Sequence, residues 1–250
     1  MESSSELDSV AVEEPLQIRV NGENVAITMR TPGHDRELAA GFLFTEALIA
    51  HREQLKSIDL DERGNAEVAI DGNVETQARR NFYITSSCGI CGKASIDALL
   101  NAGAVSVRAD TWRVSLSLLF AMPAQLRLEQ AVFERTGGLH AAGLFSPQGK
   151  LMTLREDVGR HNAVDKLIGT AFLENLLPLH DHILMLSGRI SFELVQKAVM
   201  AGIPVVAAVG APSSLAIETA MRFGITLVGF LRDGRCNIYT HSQRVAPQHP

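Results

Sequence analysis

The last third of the chain alternates short apolar runs with helical stretches, and this alternation restricts the fold more than any other feature. The apolar runs cover residues 183–186, 205–209 and 225–230, and the helical stretches between them cover 191–201 and 214–223. Short uninterrupted apolar runs are typical of strands buried on both faces. Strands that alternate with helices predict parallel pairing through crossover connections. The predicted fold class is therefore α/β, with residues 236–240 as an antiparallel fourth strand.

The first part of the chain predicts a smaller α+β unit. A hairpin is expected over residues 16–20 and 25–29 around Asn21-Gly22, a helix capped by Asp35 over 37–50, and strands at 57–60, 67–70 and 82–85. In the middle of the chain, helical periodicity begins at Ser115, and Pro123 is expected to begin a second segment. We predict a flexible acidic tail over residues 1–15, a small α+β domain over 16–108 and an α/β domain over 109–250.

Composition and charge exclude several classes of protein. Hydrophobic residues make up 46% of the chain, enough for a well-filled core and against wholesale disorder. The net charge of −5 argues against a general nucleic-acid binder. The longest apolar stretch, residues 198–211, is interrupted by Gly202 and Pro204 and is too short to span a bilayer. We therefore expect neither nucleic acid nor a membrane as a partner.

The start of the chain and its cysteines indicate a compartment. Residues 1–15 are acidic and contain no Lys or Arg, unlike a signal or transit peptide. The chain has three cysteines, an odd number that is typical of a reducing environment and not of a disulfide scaffold. These features predict a cytoplasmic protein.

Parallel topology places three loops at one edge of the predicted sheet. The loops are residues 187–189, 210–214 and 232–235, and open α/β folds bind ligands where such loops meet. Ser213 or Ser214 can cap a helix beside an anion, and Arg189, Arg232 and Arg235 can grip phosphate. The alternative is ordinary turn chemistry with the arginines in solvent, and both interpretations stay open.

A polar cluster precedes another helical stretch. Asp157, His161 and Asp165 are spaced by four and share a face if the helix already includes Asp157. A histidine between two carboxylates could orient a ligand or relay a proton. The alternative is an exposed face of ion pairs.

The segment Cys88-Gly89-Ile90-Cys91-Gly92-Lys93 carries the most reactive side chains. Two thiols at this spacing can ligate metal, form a redox disulfide or pass sulfur between them. A structural zinc site needs four ligands, and the chain has no second C-x-x-C. The glycines favour a pliable loop, and Lys93 would lower the pKa of a nearby thiol. The alternative is a pair of buried cysteines that act as small hydrophobes.

Together these segments resemble the FdhD family of formate dehydrogenase accessory sulfurtransferases. The resemblance covers everything except the acidic tail. Its matching stretches are residues 36–43 (RELAAGFL), 88–92 (CGICG), 136–142 (TGGLHAA), 156–166 (EDVGRHNAVDK), 187–189 (SGR) and 228–235 (VGFLRDGR).

The resemblance implies a sulfur carrier. Proteins of this family take persulfide sulfur from a cysteine desulfurase and pass it to the molybdenum cofactor, a bis-guanine-dinucleotide pterin, before its insertion into formate dehydrogenase. By resemblance, Cys88 carries the persulfide, with Cys91 as its partner. No intrinsic metal is expected, and a homodimer is plausible. The cofactor-binding stretch of the family matches Phe230, Leu231, Arg232, Asp233, Gly234 and Arg235, and we expect Arg189, Ser213, His161 and Asp157 to line or order the same site.

The carboxyl-terminal part of the family looks like the cytidine deaminase fold. This chain nevertheless lacks the deaminase zinc signature, because His140-Ala141-Ala142 has an alanine where the catalytic glutamate would stand. Deamination is therefore not expected. Two rival functions remain open: a chaperone that holds zinc or the cofactor without moving sulfur, and a C-x-x-C oxidoreductase.

Overall fold

The computed structural model describes residues 8–62, 64–72, 99–100, 106–107, 112–232 and 234–246. The predicted strand at 82–85, the Cys88/Cys91 segment, the predicted domain boundary at 108/109 and Asp233 lie outside the described residues. The three-part division of the chain therefore stays a prediction.

The first part of the chain forms a four-stranded sheet. Its strands are β1 (Glu14–Val20), β2 (Glu23–Arg30), β3 (Leu55–Leu60) and β4 (Asn65–Ile70), in the order β2-β1-β4-β3. The predicted hairpin is confirmed: β1 and β2 pair antiparallel, and Asn21 and Gly22 both have positive φ, as a tight turn requires. The middle pair, β1 and β4, is parallel.

The helix of this part, α1 (Asp35–Thr45), differs from its prediction at both ends. Asp35 is the first helical residue and pairs with Arg30 at 2.9 Å, so it does not cap the helix; His34 stands at the cap with a left-handed backbone. The helix ends at Thr45 because Ala47 also adopts positive φ, which no α-helix continues through.

The second part of the chain forms a six-stranded sheet in the order β11-β10-β9-β8-β6-β7. Its strands are β6 (His140–Phe145), β7 (Leu151–Asp157), β8 (Ile183–Leu186), β9 (Val205–Ala208), β10 (Thr226–Arg232) and β11 (Arg235–Thr240). The predicted parallel strands are confirmed as β8, β9 and β10, and β11 is antiparallel to β10 as expected. A short parallel pair, β5 (Val114–Ser115) and β12 (Val245–Ala246), lies apart from this sheet.

Five helices accompany this sheet in the described part of the chain: α2 (Leu116–Leu128), α3 (Ala131–Thr136), α4 (Arg160–Leu173), α5 (Phe192–Met200) and α6 (Ser214–Phe223). Pro123 lies inside α2, so the prediction that it begins a second segment is wrong. The apolar stripe of Leu119, Met122 and Leu126 runs past the proline and packs against the sheet, which holds the helix together across it. None of the described helices combines the length and the hydropathy that a bilayer crossing demands.

Strand alternation divides the core between the two faces of the sheet. Leu184 and Leu186 of β8 pack with α4, α5 and α6, whereas Ile183 and Met185 pack with α2 on the other face. Helix α1 joins the first face. This arrangement is mixed α/β, as predicted; the likeness to cytidine deaminases stays a prediction.

The crossing of α1 and α4 fixes the first part of the chain against the second. A Cβ atom on Gly41 would overlap the backbone carbonyl of Asp165, and one on Gly169 would overlap that of Glu37. The two helices therefore touch backbone to backbone, which only glycine permits.

Candidate functional site

Two of the three predicted loops, those after β8 and β9, meet where the parallel strands end, and β10 contacts them at Phe230. Gly210 donates its N–H to the Gly188 carbonyl at 3.1 Å, and Phe230 donates to the Gly210 carbonyl at 3.1 Å. A Cβ on Gly210 would lie 2.6 Å from the Gly188 oxygen, so the loops after β8 and β9 are in close backbone contact. The loops after β8 and β9 and the backbone of Phe230 therefore form one compact surface at this edge.

Strands β6 and β7 bring further side chains to this edge. Because β6 runs antiparallel to β8, its first residue, His140, lies where β8 ends, and His140 pairs in register with Asp157, the last residue of β7. A Cβ on Gly188 would lie 3.1 Å from the His140 ring. In the sequence, His140 lies in a stretch that matches the family but was not named as a site residue; its place before an apolar strand was a further signal.

Asp157 does not share a helical face with His161, and that prediction is wrong. Helix α4 begins at Arg160, so Asp157 belongs to β7, where it is fully buried. Its carboxylate pairs with Lys166 at 2.7 Å and accepts the N–H groups of Thr31 and Gly159 at 3.1 and 2.8 Å. Asp157 therefore holds the start of α4 in place, and its predicted role in cofactor binding can only be indirect.

Asp165 follows His161 by one turn of α4 and both face α5, but the Asp165 carboxylate pairs with Lys197 and not with His161. Its carboxylate pairs with Lys197 of α5 at 3.0 Å and accepts the Thr45 hydroxyl at 2.8 Å, and Lys197 also pairs with Glu46 at 3.1 Å. Burial disfavours the charged ammonium, but the carboxylates of Asp165 and Glu46 outweigh it and raise the pKa of Lys197. We call this set the buried seam: Asp157, Lys166, Asp165, Lys197 and Glu46.

His161 instead faces the loop after β8. Its Nε2 lies 3.3 Å from the Ser191 hydroxyl and 3.8 Å from the Glu193 carboxylate. The neighbouring His161 is the main cause that lowers the pKa of Glu193 to about 2, against burial, which raises it. Glu193 is therefore ionised throughout the neutral range, and it is the one carboxylate that contacts His161 among the described residues.

The remaining charged side chains here are arginines that have no acidic partner within the described part of the chain. We define the cationic edge by the residues Arg160, His161, Arg189, Arg232 and Arg235. No described residue forms an ion pair with any of its four arginines. The Arg160 Nε atom is buried and, within the described residues, lacks a hydrogen-bond partner.

His140 responds to this positive field. Burial lowers its pKa, and the charges of Arg160, His161 and Arg189 lower it further, whereas Asp157 acts in the opposite sense. The ring is therefore held neutral beside a group of cations. Such a neutral ring can accept a hydrogen bond from a ligand that the cations attract.

The Phe230–Arg235 turn adds an exposed aromatic ring and two arginines to the edge. Phe230 has a left-handed backbone with φ of 52° and is 37% exposed, an arrangement that is rare for a bulky residue and common at binding sites. Leu231 is fully buried, so it can offer a ligand only its backbone. Arg232 and Arg235 face each other in register and, like Gly234, are exposed.

Ser213 caps α6 by accepting the Ala216 N–H at 3.2 Å, as predicted. Helices α4, α5 and α6 all begin at this edge, because each follows a strand that ends there. The partial positive charge of three helix starts adds to that of the arginines. The arrangement suits an anion with several charges, such as a diphosphate.

Cys88 and Cys91 lie outside the described residues, so their predicted roles stay predictions. Cys236 lies in β11, as predicted, and burial raises the pKa of its thiol, which makes it a poor nucleophile. Within the described residues, no group of three or more His, Cys, Asp or Glu side chains could hold a metal ion.

Comparison with known proteins shows a close similarity over nearly the whole chain. The chain is 52% identical to the sulfur carrier protein FdhD of Mycolicibacterium paratuberculosis, over 95% of this chain and 92% of that protein. It is 43% identical to the sulfur carrier protein FdhD of Saccharolobus solfataricus, over 98% and 93%. A crystal structure described as a formate dehydrogenase accessory protein, from Desulfotalea psychrophila, superimposes with a TM-score of 0.77 at 26% identity and covers 96% of this chain and 91% of that chain. The FdhD/NarQ family model matches residues 11–246, and this chain therefore belongs to that family.

Proposed function

We propose that this chain is a sulfur carrier that accepts persulfide sulfur from a cysteine desulfurase and transfers it to the bis-guanine-dinucleotide molybdenum cofactor, before that cofactor enters formate dehydrogenase. The observation that carries the proposal is the cationic edge, whose arginines lack acidic partners among the described residues and lie beside the Phe230–Arg235 turn. A cofactor with two pyrophosphate groups suits such an edge. The names of the relatives support the sulfur chemistry.

The first step loads sulfur on Cys88. Its thiolate attacks the terminal sulfur of the desulfurase persulfide, the sulfur–sulfur bond in the desulfurase breaks, and the desulfurase cysteine leaves as a thiolate. Cys88 then carries the persulfide. Because Lys93 lies close in sequence, it would favour the thiolate of this segment, whereas the Cys236 thiol is disfavoured by burial.

The second step releases the sulfur without an external reductant. Cys91 attacks the inner sulfur of the Cys88 persulfide, a Cys88–Cys91 disulfide forms, and the terminal sulfur leaves as hydrosulfide toward molybdenum. The two thiols supply the two electrons that this reduction needs. A cellular dithiol then restores both cysteines for another cycle.

The edge holds the substrate during release. Arg160, Arg189 and the arginines of the turn bind the pyrophosphates, and Phe230 offers an exposed ring for stacking. Asp157 and Ser213 act on the site through backbone: they fix the starts of α4 and α6. We propose that the reaction takes place in the cytoplasm, in line with the cysteine content of the chain.

The rival is a chaperone that holds zinc or the cofactor and moves no sulfur. Reduced protein is incubated with a cysteine desulfurase and free cysteine, and intact mass is measured. We expect one reducible sulfur atom to be added to Cys91→Ala, which cannot release it, whereas the wild type should carry either that sulfur or the Cys88–Cys91 disulfide that follows its release. Cys88→Ala should gain neither, and Cys236→Ala, the matched control, should behave like the wild type. Wild-type protein that gains no sulfur and contains stoichiometric zinc would support the chaperone instead.

A further inference from the structure

The stretch of residues 8–14 runs along the border of the cationic edge. Among residues 8–13, Ala11 is the one that is partly buried, and a Cβ atom on Gly138 would meet the Ala11 Cβ at 3.4 Å. Gly138 lies two residues before His140, which stands where β8 ends. Ala11 therefore lies beside the start of β6, next to the edge.

The other end of this stretch also borders the edge. Glu14 pairs with the buried Arg30 at 3.2 Å, and Thr31 donates its N–H to the Asp157 carboxylate at 3.1 Å. Asp157 is the last residue of β7, three residues before Arg160 of the cationic edge. The stretch therefore runs from the start of β6 to the end of β7.

Burial contributes little to the position of this stretch. Val10 is 80% and Val12 52% exposed, and the Asp8 carboxylate accepts the N–H of its neighbour Ser9 at 2.8 Å. Apolar side chains that stay in water add no hydrophobic stabilisation. The stretch is therefore not held there by a hydrophobic contact of these side chains.

The charge at the amino terminus is opposite to the charge of the edge. Residues 1–14 contain no Lys or Arg and five acidic residues: Glu2, Glu6, Asp8, Glu13 and Glu14. No described acidic residue forms an ion pair with any arginine of the cationic edge. The two regions are therefore electrostatically complementary, and they belong to one chain.

The amino terminus is also long enough to cross the edge. Seven residues precede Asp8, and an extended chain of that length spans about 23–25 Å. From β6 to β10 the edge crosses three strand spacings, or about 14–15 Å. Glu2 and Glu6 can therefore reach Arg189 and the arginines of the Phe230–Arg235 turn.

We propose that residues 1–8, which we call the acidic segment, dock on the cationic edge of their own chain and are displaced when an anion binds there. The inference rests on the proposed function, because that function supplies the anion. Tethering gives the segment a local concentration on the order of millimolar, although each exposed ion pair is weak. A ligand that brings several charges to one place displaces the segment, whereas a singly charged anion does not. The segment therefore makes the edge selective for a multiply charged ligand.

Calorimetric titration of the full chain with inorganic pyrophosphate tests this competition. In the segment variant, Glu2→Gln/Glu6→Gln/Asp8→Asn, the segment keeps its length and loses its charge. The matched control is Glu23→Gln/Glu53→Gln/Glu174→Gln. It removes three exposed carboxylates that lie near the ends of β2, β3 and α4 that face away from the edge.

The expected result depends on salt. At about 10 mM ionic strength, where charges act over about 30 Å, the segment variant should bind pyrophosphate roughly threefold to tenfold more tightly than the wild type. The control should stay within about twofold of the wild type. At about 1 M, where the range is about 3 Å, the segment variant and the wild type should bind alike. The advantage should not change with protein concentration, because the segment acts on its own chain.

A second measurement needs no ligand. Phenylglyoxal modifies exposed arginines, and mass spectrometry of the peptides gives the rate at each one. Arg189 and Arg232 are exposed and should react faster in the segment variant than in the wild type. Arg222, at the end of α6 that lies away from the edge, should react at the same rate in both proteins.

The inference is overturned if the segment variant and the control bind pyrophosphate alike, or if Arg189 and Arg232 react at the wild-type rate in the segment variant. An advantage that grows with protein concentration would place the segment on a second copy of the chain and contradict docking on its own. Pyrophosphate binding by the wild type with no effect of the segment contradicts the inference alone. If neither the wild type nor the segment variant binds pyrophosphate, the proposed function is contradicted, and the arginine rates still test the segment independently.

Discussion

The buried seam and the cationic edge adjoin at the start of α4, where Asp157 belongs to the first and Arg160 to the second. Their charged side chains differ in whether they are paired. In the seam, Asp157, Lys166, Asp165 and Lys197 are at most 4% exposed, and each has an oppositely charged partner within 3.0 Å. At the edge, the arginines have no such partner among the described residues. Charge that is buried and paired holds elements together, whereas charge left without partners at a loop junction is available to a ligand.

Strand β7 shows that two neighbouring residues can act on different parts of the molecule. Glu156 and Asp157 are neighbours in β7, and their side chains leave opposite faces of the sheet. Glu156 caps α3, and Asp157 connects Thr31 to the start of α4 in the buried seam. Neither carboxylate faces a ligand directly, so both act by placing the groups that do.

The largest expected effect is a loss of stability when an ion pair of the buried seam is broken. Lys166→Met would leave the fully buried Asp157 carboxylate without its cation, and we expect the free energy of unfolding to fall by about 3–5 kcal/mol. Urea unfolding measures this loss. The double variant Asp157→Asn/Lys166→Met should recover part of it, since no uncompensated charge remains. Equal losses in the single and double variants would show that the ion pair is not what matters.

The next largest loss of stability is expected at the crossing of α1 and α4. Gly41→Ala would push a methyl group into the backbone of α4, and we expect a loss of about 1–3 kcal/mol or more in the free energy of unfolding. The same change at Gly138 meets its nearest atom, the Ala11 Cβ, only at 3.4 Å and should cost far less. Similar losses at both positions in urea unfolding would refute the close crossing.

Substitutions at the cationic edge should lower ligand affinity and leave the free energy of unfolding almost unchanged. Arg160→Gln/Arg189→Gln removes two charges that no described acidic residue compensates, so the free energy of unfolding should stay within about 0.5 kcal/mol of the wild type. Pyrophosphate affinity, measured by calorimetry, should fall by roughly tenfold or more, since charged hydrogen bonds contribute about 1.5–3 kcal/mol each. A large loss of stability with unchanged affinity would reverse the assignment of the two regions.

The smallest expected effect concerns Glu193, the one acidic side chain that contacts His161 among the described residues. Its pKa is lowered from 4.5 to about 2, chiefly by the neighbouring His161, so its stabilising contribution is present above pH 4.5 and is lost as the pH falls toward 2. Glu193→Gln should therefore unfold with a shallower loss of stability across this window than the wild type. Superimposable acid titrations of the two proteins would contradict the assigned pKa. Because Glu193 is partly exposed, the difference is expected to be modest.

Sequence reasoning predicted the part of the edge that depends on strand order. Apolar runs and glycine-terminated helices were enough to predict that the loops after β8 and β9 meet beside β10. The hairpin of β1 and β2 followed from Asn21-Gly22 in the same way. Such patterns are local in sequence. Because parallel strands end at the same edge of a sheet, they also predict which loops lie close together.

The seam could not be predicted, because its partners are distant in sequence. The spacing of Asp157, His161 and Asp165 suggested one helical face, but β7 continues to Asp157 and moves it out of the helix. Lys197 reaches Asp165 only through the packing of α5 on α4, and Glu156 of β7 caps α3 although the two are distant in sequence. Tertiary contacts of this kind leave no periodic signal in the chain.

The central claim is that one chain both carries sulfur and holds the acceptor of that sulfur. It is tested most directly by loading the chain with isotopically labelled sulfur and measuring label on the molybdenum cofactor after a single turnover without added reductant. We expect the wild type to deliver its label and finish with a Cys88–Cys91 disulfide, Cys88→Ala to carry none, and Arg160→Gln/Arg189→Gln to load normally but deliver little. Delivery of label by Cys88→Ala, or delivery at the wild-type rate by the arginine variant, would contradict the account.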